Sequence, residues 1–141
     1  MSVSLKGYLD AALTTPVTAV GPAELAQILG GGTVDRQLWL GSTATDRIFR
    51  AASDPGADPI MIEIDDVDAG TGQPASSLRL ALTQAGLASA TAGEALAVGT
   101  EIESGVANAV PFWVRWTPAG ETVGVYLDLA LQTSVVIEEV V

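Results

Sequence analysis

The stretch VPFWVRWTPAGETVGVYLDLAL, residues 110–131, carries the clearest structural pattern in the chain. Successive side chains of a β-strand point to opposite faces of its sheet. Phe112, Val114 and Trp116 therefore share one face of a first strand, and every second residue over 123–131 is a valine or a leucine. The intervening TPAGET contains a proline and a glycine, which favour a turn. The stretch predicts an antiparallel hairpin with one apolar face, and such a face requires a second apolar layer to cover it.

Similar alternation fills most of the chain on both sides of this segment. We predict strands in QLWLGS (37–42), DRIFRA (46–51), IMIEIDD (60–66), SLRLAL (77–82), LAVGTEIES (96–104) and SVVIEEVV (134–141). The first two are expected to pair as a hairpin, the leucines of SLRLAL to face inward, and Gly99 to mark a bulge. About eight short strands separated by turn residues predict a mainly β fold, an antiparallel two-sheet sandwich of the immunoglobulin-like or jelly-roll-like type.

The first 34 residues have a different pattern, so we divide the chain into an N-terminal arm, residues 1–34, and a β-sandwich domain, residues 35–141. Leu5, Tyr8 and Leu9 recur at helical spacing, and PAELAQIL (22–29) begins with a proline suited to a first helical position. The arm is therefore predicted to carry one or two short helices. Helices of this length are unstable alone in water, so the arm packs either on its own domain or on a neighbouring chain.

The composition removes several classes of function. The 141 residues include no cysteine, which excludes disulfides and thiolate sites, and no histidine, the commonest general base and metal ligand. Seventeen acidic residues against six basic ones give a net charge of −11, which disfavours nucleic-acid binding because phosphate is bound mainly by Lys and Arg. The apolar runs are too short for a spanning helix. We expect a protein without catalytic activity, cofactor, nucleic-acid partner or membrane segment.

Two groups of acidic residues are candidate sites. Asp65, Asp66 and Asp68 lie in IDDVDAGTG and suggest a calcium loop, but the EF-hand pattern fails because glycine and serine occupy two ligand positions. Glu101 and Glu103 lie two residues apart on one strand, a spacing compatible with a carboxylate-dependent hydrolase. A solvated acidic turn and an exposed acidic strand face are the structural alternatives, and we predict no metal site.

Trp113 and Arg115 are expected on the outward face of their strand, and Tyr126 on the outward face of the next one. Protein interfaces are enriched in Trp, Tyr and Arg, so these three residues are candidate contacts with another chain. Packing beneath the N-terminal arm is the competing explanation. Leu5, Tyr8 and Leu9 are the corresponding candidates within the arm.

The segments GSTATDRIFRAASDPG, IEIDDVDAGTGQPASSLRLALTQAGLASATAGEALAVGTEIESGVANAVPFWVRW and DLALQTSVVIEE resemble small immunoglobulin-like β-sandwich virion proteins of tailed bacteriophages and prophages. The resemblance covers roughly residues 37–140 and rests on strand order, turn composition and the phrase SGVANAVPFWVRW, with no catalytic signature.

The resemblance implies a capsid decoration, or cement, protein that binds the major capsid protein on the outer surface of an assembled phage head. It also implies synthesis in the cytoplasm of the bacterial host and a homo-oligomer, with a trimer favoured. A second function class stays open: a tail- or fibre-associated β-sandwich module that binds a glycan of the host surface.

Overall fold

The computed structural model describes residues 4–17, 32–66, 74–117 and 129–141, and within them the chain is mainly β. Ten strands are present in these ranges: β1 (Lys6–Tyr8), β2 (Val34–Gly41), β3 (Arg47–Ala51), β4 (Met61–Asp66), β5 (Leu78–Ala81), β6 (Leu96–Ala97), β7 (Ile102–Glu103), β8 (Val110–Trp116), β9 (Leu129–Thr133) and β10 (Val136–Val140). Three single 3-10 turns, Ala75–Ser77, Ala85–Ala88 and Val106–Asn108, separate some of them. All seven pairings between these strands are antiparallel, as the alternating pattern predicts.

The largest of the three described sheets has four strands, in the order β1-β2-β8-β5. Its inner face carries Phe112 and Val114, each only 3% exposed, and the half-buried Trp116 packs against the same core. The predicted inward face of this strand is therefore confirmed. The partners of the strand differ from the prediction.

The predicted hairpin over residues 110–131 is wrong. β8 lies between β2 and β5, with Trp116 opposite both Val34 and Leu78, so its last residue has no free side for a hairpin partner. The residues 129–131 instead pair with β4 in another sheet. The apolar alternation identified two strands correctly, but alternation does not specify which strands become neighbours.

The predicted hairpin between QLWLGS and DRIFRA is also wrong, because β2 and β3 belong to different sheets. Ser42 begins the connection and is fully buried. Its Oγ accepts a hydrogen bond from the amide of Ala44, and its carbonyl accepts one from the amide of Gly105. These bonds hold a connection between two sheets, whereas the sequence predicted a turn within one sheet.

The other strands form two three-stranded sheets, β10-β3-β7 and β6-β4-β9. The amide of Ala52 bonds the carbonyl of Val135, and the amide of Ser134 bonds that of Met61, both at 2.9 Å. On the other side Ile60 exchanges hydrogen bonds with Val98 and Gly99. Between β3 and β4 lies the segment 52–59, in which every residue is exposed. These bonds extend the pairings of β3 with β10, of β4 with β9 and of β4 with β6, each within its own sheet.

The helix predicted from Leu5, Tyr8 and Leu9 is wrong, because residues 6–8 form the edge strand β1 against β2. Positions 5 and 9 differ by four, which is the spacing of a helical face but also an even number, so a strand places both on one face as well. Asp10 then closes a turn by accepting the amides of Thr14 and Thr15. The second predicted helix, residues 22–29, lies outside the described residues.

One apolar core joins the residues of all three sheets. Its buried members are Leu5, Leu38, Leu40, Phe49, Ala51, Ile60, Ile62, Leu78, Leu80, Val98, Ile102, Phe112, Val114 and Val136. Leu82 was expected to face inward with Leu78 and Leu80, but it follows the end of β5 and is 48% exposed. Gly99 was expected to bulge within one strand. With φ +115 it instead separates β6 from β7.

Candidate functional site

The N-terminal residues that were candidates for contacts with another chain pack on their own fold. Leu5 and Tyr8 are buried, and the half-buried Leu9 packs against the core. Tyr8 lies opposite Trp39 of β2, on the outer face of the four-stranded sheet. Docking of this segment on its own domain, one of the two alternatives open from the sequence, therefore describes these three residues.

A polar cluster fixes the start of this segment to the last strand. The Ser4 hydroxyl donates to Oε1 of Glu138 at 2.6 Å and lies 2.9 Å from the Ser42 hydroxyl. The Ser4 amide donates to the other Glu138 oxygen, and the Arg47 guanidinium is 3.6 Å from the same carboxylate. A serine beside a carboxylate needs a base and an oxyanion site to act as a nucleophile. Here both oxygens of the Glu138 carboxylate already accept hydrogen bonds from Ser4. We therefore interpret the cluster as structural, because it fixes Ser4 to β10.

The outer face of β2 and β8 carries the two tryptophans that the structure brings together. Because directly opposed residues of an antiparallel pair share a face, Trp39 lies beside Pro111, and Gln37 lies beside Trp113. The two indoles are diagonal neighbours, within the reach that aromatic side chains have across a sheet. Both are half-buried, so each keeps part of its surface accessible. Trp113 was identified from its strand face, whereas Trp39 was missed as its neighbour because the pairing of β2 with β8 was not predicted.

An ion pair borders the tryptophans on this outer face. Arg115 donates two hydrogen bonds to Asp35, from Nε at 2.8 Å and from Nη2 at 3.1 Å, and the Gln84 amide donates a third at 3.3 Å. The hydrogen bond from Arg115, together with that from Gln84, lowers the pKa of Asp35 below its ordinary value. The same hydrogen bond raises the pKa of Arg115. Two parallel bonds fix the plane of the guanidinium, which gives this face a preorganised polar border.

Around this border the face is partly covered. Ala81 of β5 lies opposite Trp113 and is buried. The following turn, Ala85–Ala88, is in contact with β5 and β8 and contains the fully buried Leu87. The surface available to a partner is therefore a strip along Trp39, Trp113 and Arg115. Tyr126, the third predicted interface residue of the sheet, lies outside the described residues.

The two carboxylates considered for hydrolysis are both exposed, on either side of Ile102. Arg50 binds Glu101 at 2.9 Å through Nη2 and 3.0 Å through Nε, and its Nη1 also contacts Glu139. Glu101 is therefore held by a guanidinium on an open sheet face. This arrangement fits the exposed acidic strand face that was the structural alternative.

The acidic segment considered for calcium is only partly described. Asp65 and Asp66 end β4 and are half-buried, and Asp68 lies outside the described residues. Within the described ranges, no group of three or more acidic side chains is close enough to hold a metal ion. In the same ranges, no helical segment has the length and apolarity needed to cross a lipid bilayer.

Comparisons with known proteins return no relative: no family model, no curated protein and no solved structure matches this chain.

Proposed function

We propose that this protein is a non-enzymatic virion structural protein, a capsid decoration (cement) protein that binds the outer surface of an assembled phage head. The observation that carries the proposal is the strip Trp39–Trp113–Arg115 on the outer face of the four-stranded sheet. Aromatic residues and arginine are the groups that dominate protein interfaces when they are held rigidly. The resemblance of residues 37–140 to phage virion modules supplies the identity of the partner, the major capsid protein.

We infer further that the two layers form a two-sheet sandwich of the immunoglobulin-like type. Residues 134 and 135, which connect β9 to β10, support this arrangement, because Ser134 extends the pairing of β9 with β4 and Val135 extends that of β10 with β3. The shared apolar core supports it as well, because it includes inward residues of the four-stranded sheet and of both shorter ones.

The proposed mechanism is stabilisation by mass action. A protein that binds the assembled shell but not its dissociated subunits stabilises the shell by RT ln(1 + [L]/Kd) per site, about 2.7 kcal/mol at a hundredfold excess over Kd. The net charge of −11 suits an outer position, since it repels packaged DNA and other decorated particles. A homotrimer is expected to present three copies of the strip to one junction between capsomers.

The test is co-sedimentation with undecorated heads, comparing the parent protein with Trp113→Ala and Arg115→Ala. Each substitution is expected to weaken attachment by about tenfold or more, the effect of removing an interface hot spot. Leu82→Ala, which removes an exposed apolar side chain outside the strip, is the matched control and is expected to bind normally. Parental binding by both strip variants would refute this assignment of the attachment surface, and failure of the parent to bind any tailed-phage head would refute the proposed function.

The glycan-binding alternative is supported by the same two tryptophans. Exposed indole surface beside an amide side chain, here Gln37, can stack on a sugar ring and hydrogen bond its hydroxyls. Binding of the parent to host-surface polysaccharide, lost in Trp113→Ala, without binding to heads would favour this alternative over decoration.

A further inference from the structure

Among the described residues, β10 is an edge strand with no strand paired to its outer side. In the order β10-β3-β7 it has a neighbour only in β3. The amide of Ala52 bonds the carbonyl of Val135, and the amide of Val141 bonds the carbonyl of Asp46. Backbone groups alternate in direction along a strand. The amides and carbonyls of residues 137 and 139 therefore also point toward β3, whereas those of Val136, Glu138 and Val140 point away from it.

No described residue forms a backbone hydrogen bond with those three outward positions. The edge strand β1 of the four-stranded sheet differs, because its own following turn covers it. The amide of Val17 bonds the carbonyl of Gly7, and Tyr8 forms a bridge with Pro16. β10 has no such cover within the described ranges.

Highly exposed valines flank the open edge. Val135, Val140 and Val141 are 78%, 74% and 77% exposed, the three largest exposures among the large apolar side chains described. Natural proteins protect open edges with lysine, proline or a bulge, because an unprotected apolar edge pairs with other chains. An open edge bordered by β-branched residues is suited to accept an additional strand.

The charges around β10 indicate the chemistry of the partner segment that would pair with it. Five carboxylates and two guanidiniums lie on β10, on its neighbours in the sheet and at their ends. They are Asp46, Glu101, Glu103, Glu138 and Glu139, with Arg47 and Arg50. The excess of negative charge favours a partner segment with basic side chains.

A second copy of this chain is a poor occupant of the edge. Antiparallel pairing of β10 with its own copy, centred on Glu138 or on Glu139, would place that glutamate opposite itself. Like charges directly opposite on a sheet are destabilising. The two chains would also carry the same net charge of −11.

We propose that β10 binds an extended, basic segment of a partner protein by strand addition, with the backbone of Val136, Glu138 and Val140 forming the new hydrogen bonds. Lysine or arginine of that segment would lie opposite Glu139, whose side chain is 48% exposed, and its valines would lie on the other face of the strand, beside Val136 and Val140. For the identity of the partner this inference rests on the proposed function: the segment would belong to the shell protein.

The experiment uses the full-length, ¹⁵N-labelled protein and the blocked synthetic heptapeptide TVKVKVT as the probe, with TVEVEVT as its charge-reversed control. Hydrogen exchange of the outward amides of Val136, Glu138 and Val140 is expected to slow about tenfold or more when the basic peptide adds as a strand. The inward amides of Ile137 and Glu139 are already bonded to β3 and are expected to change little. The acidic peptide is expected to bind about tenfold more weakly, or not measurably.

Two variants test the edge directly. Val140→Pro removes an outward amide that β3 does not use, which an edge strand tolerates, and Val140→Lys adds the charge that protects natural edges. Both are expected to abolish protection by the peptide, and the lysine variant covers the case in which the proline variant does not fold. Val106→Pro is the matched control, because Val106 is an exposed valine at the first position of a 3-10 turn, where proline fits.

Three results would overturn the inference: equal binding of both peptides, protection at residues other than the β10 edge, or concentration-dependent protection of the edge without peptide, which would identify a second copy as the occupant. The same variants separate this inference from the proposed function. If both Val140 variants attach normally to heads, the inference that β10 binds the shell protein is refuted, and the proposed decoration function stands. If the parent protein binds the basic peptide at β10 but attaches to no head, the decoration function is refuted, and strand addition to β10 stands.

Discussion

Replacing Leu5 by alanine tests whether the N-terminal segment is part of the fold. Leu5 is 9% exposed and belongs to the same core as Leu38 and Leu40. Leucine-to-alanine changes in cores cost about 2–5 kcal/mol. Leu5 directly precedes the three-residue edge strand β1, where the backbone can relax, so we expect about 2–3 kcal/mol. That loss is a large share of the roughly 5–15 kcal/mol by which a domain is stable.

The measurement is urea unfolding followed by tryptophan fluorescence, with the slope of the free energy against urea compared between parent and variant. An unchanged slope with a lower midpoint identifies a loss of stability, since the slope follows the surface exposed on unfolding. Val17→Ala, in the same segment but at a residue 36% exposed, is the control and is expected to change the free energy of unfolding by less than about 0.5 kcal/mol.

A change of less than about 0.5 kcal/mol in Leu5→Ala would refute the reasoning, because it would mean that residues 4–9 contribute nothing to the core. The result also decides how the arm can be studied. If Leu5 contributes as expected, deletion of residues 1–34 unfolds or destabilises the sheets, and loss of attachment after that deletion does not identify the arm as the contact.

Two further perturbations test the packing and the ion pair of the four-stranded sheet. Gly41→Ala places a Cβ 2.9 Å from Cδ1 of Leu13 and is expected to lower the free energy of unfolding by about 1–3 kcal/mol. The Cβ of Gly7→Ala meets nothing within 4 Å, so this change is expected to be neutral or to stabilise the protein by up to about 1 kcal/mol. Urea unfolding measures both effects. Equal effects of the two glycine substitutions would contradict the contact with Leu13. Asp35→Asn removes an acid whose folded-state pKa lies below its ordinary value of 3.8 because Arg115 donates to it. Such a group stabilises the fold above its unfolded pKa and loses that contribution as the pH falls through the lowered folded pKa, so the parent should exceed the variant in stability at pH 7 and the difference should shrink below about pH 4. A difference that stays constant down to pH 2 in unfolding experiments would show that the pair is not the cause.

The sequence predicted where most strands lie, because alternation of apolar and polar residues is a local property. Phe112 and Val114 face the core as expected, and IMIEIDD, SLRLAL and SVVIEEVV all contain strands. The helix over Leu5 and Leu9 failed because residues four apart share a face in both kinds of element. The half-buried and charged residue Asp35 was not predicted as a partner of Arg115, since 80 positions separate the two along the chain.

The candidate surfaces were predictable only in part for the same reason. Trp113 and Arg115 could be placed on an outward face from their strand alone, but Trp39 and Asp35 join them only through the register of β2 with β8. The edge position of β10 among the described strands could not be read from the sequence, because a strand does not encode how many neighbours it has.

The sequence by itself determined that the chain is rich in β-strands, acidic, free of cysteine and histidine, and apolar on one side of each clear strand. Only the tertiary structure decided that β8 lies between β2 and β5, that β9 and β10 belong to two different sheets, and that Leu5 and Leu9 pack on the core. The physical reason is that side-chain alternation is fixed within two residues, whereas pairing is chosen by long-range burial, and several antiparallel arrangements bury the same apolar faces.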